Sequence, residues 1–281
     1  MDRFECWDAV EKRLNSLTSP ESLSGLVFVE KVFEELGDPS RFPAIHIAGT
    51  NGKGSTAACL DSMLRAAGYK TALYTSPHLT CLGERLLIDG QMLGGEKWLD
   101  ALERISVVLK KLPEVRLGYF QALTAAAFWL IEREKVDAAV IETGLGGRLD
   151  ATNIIVPLVS VITNVGLDHT ALLGDTLPKI AAEKAGIIKK SIPVVIGESD
   201  PRYNEVIEQT AAANKSKVIY AEQEFSCEPC LCGTDRQHFC MHRTRDNRNF
   251  EVDLDLGGNY QRRNMVTAAA TVDFLHEETP L

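Results

Sequence analysis

Short apolar runs alternate with longer amphipathic segments along most of the chain. The segments between the runs place apolar residues three or four positions apart, which predicts helices, whereas the short continuous runs predict buried strands. The predicted strands are AIHIA (44–48), KTALYT (70–75), DAAVIE (137–142), LVSVIT (158–163), PVVIG (193–197) and KVIYA (217–221). This alternation predicts an α/β fold in which a mostly parallel sheet carries helices on both faces.

The two ends of the chain depart from this alternation. Residues 5–36 contain two helical patterns, and Gly37 and Pro39 stop the second one. Beyond residue 221 the pattern predicts two or three short strands, which we expect to form a small antiparallel appendage at the edge of the sheet. The expected divisions of the single domain 1–281 are N-terminal helices over 1–40, an α/β core over 41–221, and the appendage with a closing helix (261–278) over 222–281.

Composition and charge narrow the class of protein. The 281 residues are 45% hydrophobic and 25% charged, which is ordinary for a globular protein. A net charge of −9 disfavours nucleic acid as a partner. No apolar run approaches the roughly 20 residues of a membrane span, and the N-terminus lacks a signal-peptide core. We therefore expect a cytoplasmic protein that acts as a monomer on small molecules.

The first predicted strand runs into a glycine-rich loop, within AIHIAGTNGKGST (44–56), that holds Lys53 between Gly52 and Gly54. Glycines let successive backbone N–H groups turn toward one anion, and the following helix adds the positive end of its dipole. The spacing departs from the general phosphate-loop pattern GxxxxGK[ST], because Gly49 stands only three residues before Gly52. The position between a strand and a helix nevertheless favours a phosphate site over a simple turn.

Polar residues also follow the next three predicted strands, where ligands of an open parallel sheet bind. These residues are Ser76, Glu142, Asn164, Asp168 and His169. Glu142 at the end of a buried strand is either a cap for a neighbouring helix or a ligand for Mg²⁺, which prefers carboxylates, phosphates and water. Lys184 lies among alanines and isoleucines, so it either extends its amine to solvent or is partly desolvated, with a lowered pKa.

Five segments, in this order and spacing, resemble the Mur ligase superfamily, and within it the folylpolyglutamate synthase/dihydrofolate synthase family. They are GTNGKGST, TSPHL, ETGLGGRLDATN, GLDHT with LLGDT, and IAAEKAGI. The segment GLGGRLDATN distinguishes this family from the peptidoglycan branch of the superfamily, because that branch shares the nucleotide loop but not this segment. The resemblance implies that ATP phosphorylates a substrate carboxylate and that the amine of L-glutamate attacks the acyl phosphate. It leaves open whether the acceptor is dihydropteroate, a folate or both.

The resemblance also implies roles for individual residues on the nucleotide side. One Mg²⁺ would be held by Ser76 and Glu142, and a second by His169 and an N-carbamoylated Lys184. Lys53, His169 and Lys184 would be catalytic, with Lys53 on the β- and γ-phosphates. The ATP-binding residues would be Gly49, Thr50, Asn51, Gly52, Lys53, Gly54, Ser55, Thr56 and Asn264.

On the acceptor side, the resemblance implies walls built from several separate segments. The substrate-binding residues would be Arg85, Phe120, Gln121, Gly146, Gly147, Arg148 and Asp150. Two positions depart from the family pattern: Tyr260 replaces the usual His before Gln261, and Gln121 replaces a common Glu.

The family normally continues into a C-terminal domain that closes over the crevice, and we expect this chain to lack that domain. Two other hypotheses stay open. The chain could be a catalytically silent nucleotide-binding module, or a ligase of the same fold that acts on a peptidoglycan precursor.

Four of the seven cysteines cluster near the end of the chain, close to His238 and His242. They are Cys227, Cys230, Cys232 and Cys240. The cluster is either a structural zinc site or a set of reduced thiols in a β-hairpin. Because the spacing C-x-x-C-x-C-x₇-C is not a common zinc-finger pattern, we favour reduced thiols.

Overall fold

The computed structural model describes residues 3–20, 25–228 and 236–279. The main sheet has eight strands in the order β4-β3-β2-β5-β1-β6-β7-β8. They are β1 (Ala44–Ala48), β2 (Thr71–Tyr74), β3 (Leu86–Ile88), β4 (Gln91–Met92), β5 (Ala138–Glu142), β6 (Val159–Ile162), β7 (Val194–Ile196) and β8 (Val218–Tyr220). The six strands predicted from apolar runs are all present and pair in parallel, as the alternation indicated.

The hairpin of β3 and β4 adds an antiparallel edge to this sheet. Its two-residue turn consists of Asp89 and Gly90, whose φ angles are 52° and 76°. Positive φ at both positions is typical of a type I′ turn, for which Asp-Gly is a strong sequence signal. This hairpin was not predicted because its strands are short, although the Asp-Gly pair indicated it.

Ten helices lie within the described residues. They are α1 (Arg3–Ser16), α2 (Val27–Leu36), α3 (Lys53–Ala66), α4 (Gly95–Lys111), α5 (Tyr119–Glu134), α6 (Thr170–Leu173), α7 (Leu177–Ala185), α8 (Asn204–Ala213), α9 (Ala221–Glu224) and α10 (Gln261–Glu278). Two 3₁₀ turns, Leu82–Arg85 and Ala151–Ile154, lie in loops at the carboxyl edge of the sheet. None of these helices combines the length and the apolar character that crossing a bilayer requires.

Helices cover both faces of the main sheet, as predicted. On one face, α1, α2, α4 and α5 pack over the half of the sheet that contains β2 and β5. On the same face, α7 and α8 cover β6 and β7. On the opposite face, α3 and α10 pack against Ile45 and Ile47 of the central strand. Both faces of the parallel strands are therefore buried, which is why their sequences are continuous apolar runs.

A separate antiparallel sheet forms the predicted appendage. Its strands are β9 (Phe225–Cys227), β10 (Gln237–Arg243) and β11 (Arg248–Leu254), in the order β11-β10-β9. Within the described residues, it shares no paired strand with the main sheet. Instead, its apolar face packs into the same core as α3 and α10, through Phe239, Met241 and Val252. The antiparallel character was predictable from alternation, whereas this packing partner was not.

The helical pattern TLPKIAAEKAGIIKK (176–190) predicts a longer helix than the structure shows, because α7 ends at Ala185. A β-carbon at the next residue, Gly186, would lie 2.3 Å from the β-carbon of Arg148. The chain then turns so that the carbonyl of Ile187 accepts a hydrogen bond from Ser160 on β6, at 3.0 Å. Tertiary contacts to the sheet therefore end this helix.

We predict that Phe128→Ala lowers the free energy of unfolding by about 3–5 kcal/mol, because it leaves a cavity in the core. Phe128 is fully buried on α5 and contacts three rings edge-on. The centroid distances are 5.8 Å to Phe33, 5.3 Å to Phe42 and 6.0 Å to Tyr74. Urea denaturation followed by circular dichroism measures the change.

The neighbouring Trp129 provides a matched control on the same helix. Its ring is only half-buried and lies 4.6 Å from the guanidinium of Arg133. Trp129→Ala should therefore lower the free energy of unfolding by much less than Phe128→Ala does, by about 1 kcal/mol. Equal losses in the two variants would contradict the assignment of Phe128 as the ring that joins α2, α5 and the sheet.

Candidate nucleotide and acceptor site

The loop between β1 and α3 is shaped by close contact with α10. Gly52 has φ +79°, and a β-carbon there would lie 2.2 Å from Oδ1 of Asn264. Only glycine fits this position, because any side chain would strain the backbone and displace Asn264. The buried Asn264 is itself held by its Nδ2, which donates to Oε1 of Gln261 at 2.7 Å. The two predicted ATP-binding segments therefore meet in space.

Polar groups at the end of β6 fasten the other side of the loop. The backbone N–H of Asn51 donates to Oδ1 of Asn164 at 3.0 Å, and Nδ2 of Asn164 donates to the Asn51 carbonyl at 3.1 Å. The Thr163 hydroxyl also donates to that carbonyl, at 2.7 Å. Thr50 is bonded in both directions to Gly166. These contacts hold the loop in one conformation at the N-terminus of α3.

Lys53 begins α3 and folds back over its own loop. Its amine donates to the carbonyls of Gly49 at 3.1 Å and Thr50 at 3.3 Å. The same amine lies 4.0 Å from Oε1 of Glu142. The lysine is therefore positioned where the loop, the helix N-terminus and a carboxylate meet, which suits a phosphate chain.

Glu142 is a buried carboxylate, 4% exposed, at the carboxyl end of β5. Burial raises the pKa of Glu142 to about 6, although the Ser76 amide and the Lys53 amine both lower it. The Ser76 N–H donates to Oε2 at 3.1 Å. A β-carbon on Gly54 would lie 3.5 Å from the same oxygen. Glu142 is therefore charged at neutral pH and lies directly beneath the first turn of α3.

Lys184 is buried on α7, with 2% exposure. Burial, together with the positive charge of Lys53, lowers the pKa of Lys184 to about 8, although Asp168 acts in the opposite direction. Within the described residues, Lys184 makes no ion pair and no side-chain hydrogen bond. A buried amine with a lowered pKa is partly neutral near pH 8 and can act as a nucleophile toward CO₂.

His169 lies at the exposed rim of the crevice, at the start of α6. Its side chain is 57% exposed, and its Nε2 lies 3.7 Å from Oδ2 of Asp168. The backbone has φ 47° at the start of α6, a left-handed conformation that is uncommon for histidine. Asp168 is the charged group near both His169 and Lys184. The predicted pairing of these two residues on one cation stays a prediction.

Two buried hydroxyls at this edge have no hydrogen-bond partner within the described residues, those of Thr56 and Thr143. Thr56 lies in the first turn of α3, and Thr143 directly follows Glu142. Because unpaired buried hydroxyls are costly, they fit a site completed by phosphate oxygens or by the water shell of a cation. Within the described residues, no three His, Cys, Asp or Glu side chains converge on a metal position. A cation at Glu142 would therefore take most of its ligands from hydroxyls, phosphate and water.

A cavity of about 340 Å³ lies beside the segment that follows β5. Four of the predicted substrate-binding residues line it: Phe120, Gln121, Arg148 and Asp150. Gln121 also fixes the cavity rim, because its Nε2 donates to the Gly25 carbonyl at 2.9 Å. Seven further lining residues were not predicted from the sequence, which are Gly25, Leu145, Leu149, Ala151, Leu172, Leu173 and Glu183.

The other predicted substrate-binding residues lie outside the described wall of this cavity. Arg85 donates through Nε to Nδ1 of His78 at 2.9 Å and lies 5.9 Å from the ring centroid of Tyr119. Gly147 packs against α7, because a β-carbon there would lie 2.8 Å from the Glu183 carbonyl. Gly146 has φ 69° and forms the turn before it. Direct substrate contacts by these three residues stay predictions.

Arg148 ties the loop after β5 to the helix that carries Lys184. Its N–H donates to the Glu183 carbonyl at 2.7 Å, and its guanidinium contacts the Glu183 carboxylate at 2.9 Å. Asn153 adds a second link, because its Nδ2 donates to the carbonyls of Arg148 and Gly186. The 340 Å³ cavity and the helix that carries Lys184 are therefore linked by hydrogen bonds and an ion pair.

The cysteines do not form a cluster in the described part of the chain. Cys227 pairs in register with Met241, so Cys227 and Cys240 lie on opposite faces of the small sheet. His238 is held by carboxylates, with Nδ1 2.8 Å from Asp253. Cys230 and Cys232 lie outside the described residues. Cys227 and Cys240 are free thiols in the described part of the chain, and the choice between a zinc site and reduced thiols for the four cysteines stays a prediction.

Known proteins with similar sequences belong to the family that the site residues indicated. The Mur ligase middle domain family matches residues 47–272. Folylpolyglutamate synthase from Lacticaseibacillus casei is 36% identical over 249 residues, which are 87% of this chain and 58% of that protein. The dihydrofolate synthase/folylpolyglutamate synthase of Bacillus subtilis is 36% identical over 262 residues, which are 90% of this chain and 60% of that protein. The chain therefore spans about three fifths of the length of these curated relatives.

Solved structures give the same result. An FPGS–AMPPCP–folate complex superposes with a TM-score of 0.90 at 34% identity, covering 98% of this chain and 68% of that one. Mycobacterium tuberculosis folylpolyglutamate synthase complexed with ADP gives a TM-score of 0.88 at 31% identity, covering 99% of this chain and 64% of that one. Together with the nucleotide loop and the segment after β5, these matches establish that the chain belongs to the folylpolyglutamate synthase/dihydrofolate synthase family of the Mur ligase superfamily.

Proposed function

We propose that the protein is an ATP-dependent ligase that joins L-glutamate to dihydropteroate or to a folate through an acyl phosphate. The observation that carries this proposal is the adjacency of two sites. Lys53 and the first turn of α3 face the buried Glu142, and the segment that begins two residues later borders the 340 Å³ cavity. A nucleotide and an acceptor carboxylate bound in these positions would meet near Glu142.

The residues of the chain would act mainly by positioning charge. The amine of Lys53 would leave the Gly49 and Thr50 carbonyls and bind the β- and γ-phosphates. The N–H groups at the start of α3 would donate hydrogen bonds to the transferred phosphoryl group and stabilise its negative charge. Phe120 and the leucines of the cavity would hold the flat, apolar part of the acceptor. The hydrogen bonds that hold the nucleotide loop and the loop after β5 would reduce the structural reorganisation needed before phosphoryl transfer.

We further propose two Mg²⁺ sites, of which Ser76 and Glu142 would hold one, and His169 and an N-carbamoylated Lys184 the other. Bound Mg²⁺ would neutralise the negative charge on ATP and the acyl phosphate. Carbamoylation fits the environment of Lys184, because it replaces a buried ammonium that lacks a partner by a carboxylate.

The remaining features of this proposal concern partners and cellular context. The acidic net charge of −9 supports small-molecule substrates rather than nucleic acid. The described cysteines are all free thiols, which supports a reducing compartment such as the cytoplasm. That the protein is a monomer, and that residues 1–40, 41–221 and 222–281 divide it as described, stay predictions.

The test is a phosphate-release assay of the protein expressed from its complete gene, with ATP, Mg²⁺ and L-glutamate. One arm adds dihydropteroate, another a reduced folate, and a third a nucleotide-linked muramoyl substrate. We expect release that depends on both glutamate and one of the pterin acceptors. Release with the muramoyl substrate alone would favour a peptidoglycan ligase, and nucleotide binding without release in any arm would favour a silent module.

We predict that Lys53→Ala weakens binding of a non-hydrolysable ATP analogue about 10- to 100-fold, because one charged donor to the phosphates is lost. Isothermal titration in the presence of Mg²⁺ measures the change. Lys111→Ala is the matched control, because Lys111 is exposed at the end of α4 and pairs with Glu35 at 3.2 Å. An unchanged dissociation constant in Lys53→Ala would exclude Lys53 from the phosphate site.

Lys184→Ala should abolish turnover and leave the fold intact. The free energy of unfolding should change by only about 1 kcal/mol, because the lost packing is offset by removing a buried amine. Lys184→Met retains most of the volume and should be equally inactive. Intact-protein mass spectrometry in bicarbonate should detect a CO₂ adduct on the unaltered protein and on neither variant. Full activity in either variant would refute a carbamate-bound cation.

A further inference from the structure

His46 is a buried histidine in the centre of the main sheet, on the strand that leads into the nucleotide loop. It is fully buried and shares its face of β1 with Ala44 and Ala48. In register, it pairs with Ile141 on β5 and Ser160 on β6. Burying a polar ring at the centre of a parallel sheet lowers the stability of the fold unless its nitrogens form hydrogen bonds. The hydrogen bonds of His46 therefore indicate its role.

The ring makes one hydrogen bond, from Nε2 to Oγ1 of Thr152 at 2.9 Å. That hydroxyl already donates to Oδ1 of Asp150 at 2.6 Å, so it must accept from His46. The ring is therefore the Nε2–H tautomer. Burial, together with the positive charge of Lys189, lowers the pKa of His46 to about 3, so the ring is neutral. Within the described residues, Nδ1 has no hydrogen-bond partner.

Asp150 connects this pair to the loop that follows β5. Its Oδ1 also accepts from the Thr152 N–H at 3.0 Å, and its Oδ2 accepts from the Leu145 N–H at 2.9 Å. The Gly144 N–H donates to the same carboxylate. Leu145 and Asp150 both line the 340 Å³ cavity. The carboxylate thus closes the loop 144–150 on itself, and His46 and Thr152 hold it against the sheet.

We propose that His46 is a positioning residue, which acts through Thr152 and Asp150 to fix the wall of the acceptor cavity formed by residues 144–150. The assignment of this cavity to the acceptor rests on the proposed function, whereas the relay from His46 to Leu145 does not. His46 would not touch the acceptor or ATP. Its effect would be on how tightly the acceptor is held, because a loose wall reduces complementarity to the acceptor.

Core packing alone does not explain a histidine at this position. An apolar side chain of similar volume would fill the same space and would leave no unpaired Nδ1. Ser160, the register partner of His46, provides the contrast. It is also fully buried, but its hydroxyl donates to the Ile187 carbonyl, and none of its side-chain contacts reaches the loop 144–150.

Three variants separate the relay from general stability. His46→Gln keeps an N–H donor near the position of Nε2, whereas His46→Met keeps a comparable volume and removes the donor. Ser160→Ala removes a buried hydrogen bond on the neighbouring strand without touching the relay. If His46→Met does not fold, Thr152→Val breaks the relay at its second member, with Thr152→Ser as its conservative partner.

Amide hydrogen exchange of the full chain tests the relay without requiring activity. The measured quantity is the exchange rate of the Gly144 and Leu145 amides divided by that of Val140 and Ile141 of β5. In His46→Met, or in Thr152→Val, this ratio should rise roughly five- to tenfold above that of the unaltered protein, as expected for the loss of one hydrogen bond. The ratio should stay within about twofold in His46→Gln and Ser160→Ala. A uniform increase over all these amides in His46→Met and Thr152→Val would overturn the proposal.

Steady-state kinetics then test the consequence for the acceptor. The acceptor in this assay is dihydropteroate or the reduced folate, whichever supports phosphate release. In His46→Met, the KM for that acceptor should rise about tenfold, while the KM for ATP stays within about twofold. In His46→Gln, the KM for the acceptor should match that of the unaltered protein. Equal changes in both KM values would overturn the positioning role. If the unaltered protein has no ligase activity, the proposed function fails, and the exchange ratio still decides whether His46 controls the loop.

Discussion

Glu142 carries a negative charge at an edge of the sheet from which water is nearly excluded, and the surrounding structure supplies the positive partners this charge requires. Burial is the largest influence on its pKa and raises it, to about 6 once the lowering effects of the Ser76 N–H and the Lys53 amine are included. The Ser76 N–H, the Lys53 amine and the N-terminus of α3 all act in the opposite direction. The parallel register places Ile47 of β1 opposite Glu142 of β5, so the nucleotide loop begins beside the carboxylate.

Around this charge, the polar groups fall into two sets with different energetics. One set is fully hydrogen-bonded and holds the loops, as Asn164 does for the nucleotide loop and Asp150 for the cavity wall. The other set has no hydrogen-bond partner within the described residues, and it includes the hydroxyl of Thr56 and the side chain of the buried Lys184. The first set stabilises the fold, whereas the second costs stability and is available to ligands. This division is what a preorganised site requires.

Much of the fold was predictable because burial on both faces leaves a direct pattern in the sequence. The six parallel strands are continuous apolar runs, and α10 begins and ends where its periodicity predicted. The predictions failed where the deciding contact is distant in sequence. The end of α7 depends on Arg148 packing against Gly186, and the small sheet depends on the apolar surface of α3 and α10. The β3–β4 hairpin is different, because Asp89–Gly90 was a local signal that went unused.

The sequence by itself determined the chemistry at the carboxyl edge, because the residue types at the strand ends and the glycines around Lys53 are local properties of the chain. It thereby identified the family and the residues that meet at Glu142. Only the tertiary structure decided which of these residues are fastened and which are left unpaired. Asp150 lines the cavity, and its carboxylate also accepts hydrogen bonds from Thr152 and Leu145. His46 is hydrogen-bonded to Thr152, a contact that a single polar residue in an apolar run does not indicate. Hydrogen bonds between residues about a hundred positions apart depend on strand order and register, which apolar periodicity along the chain does not encode.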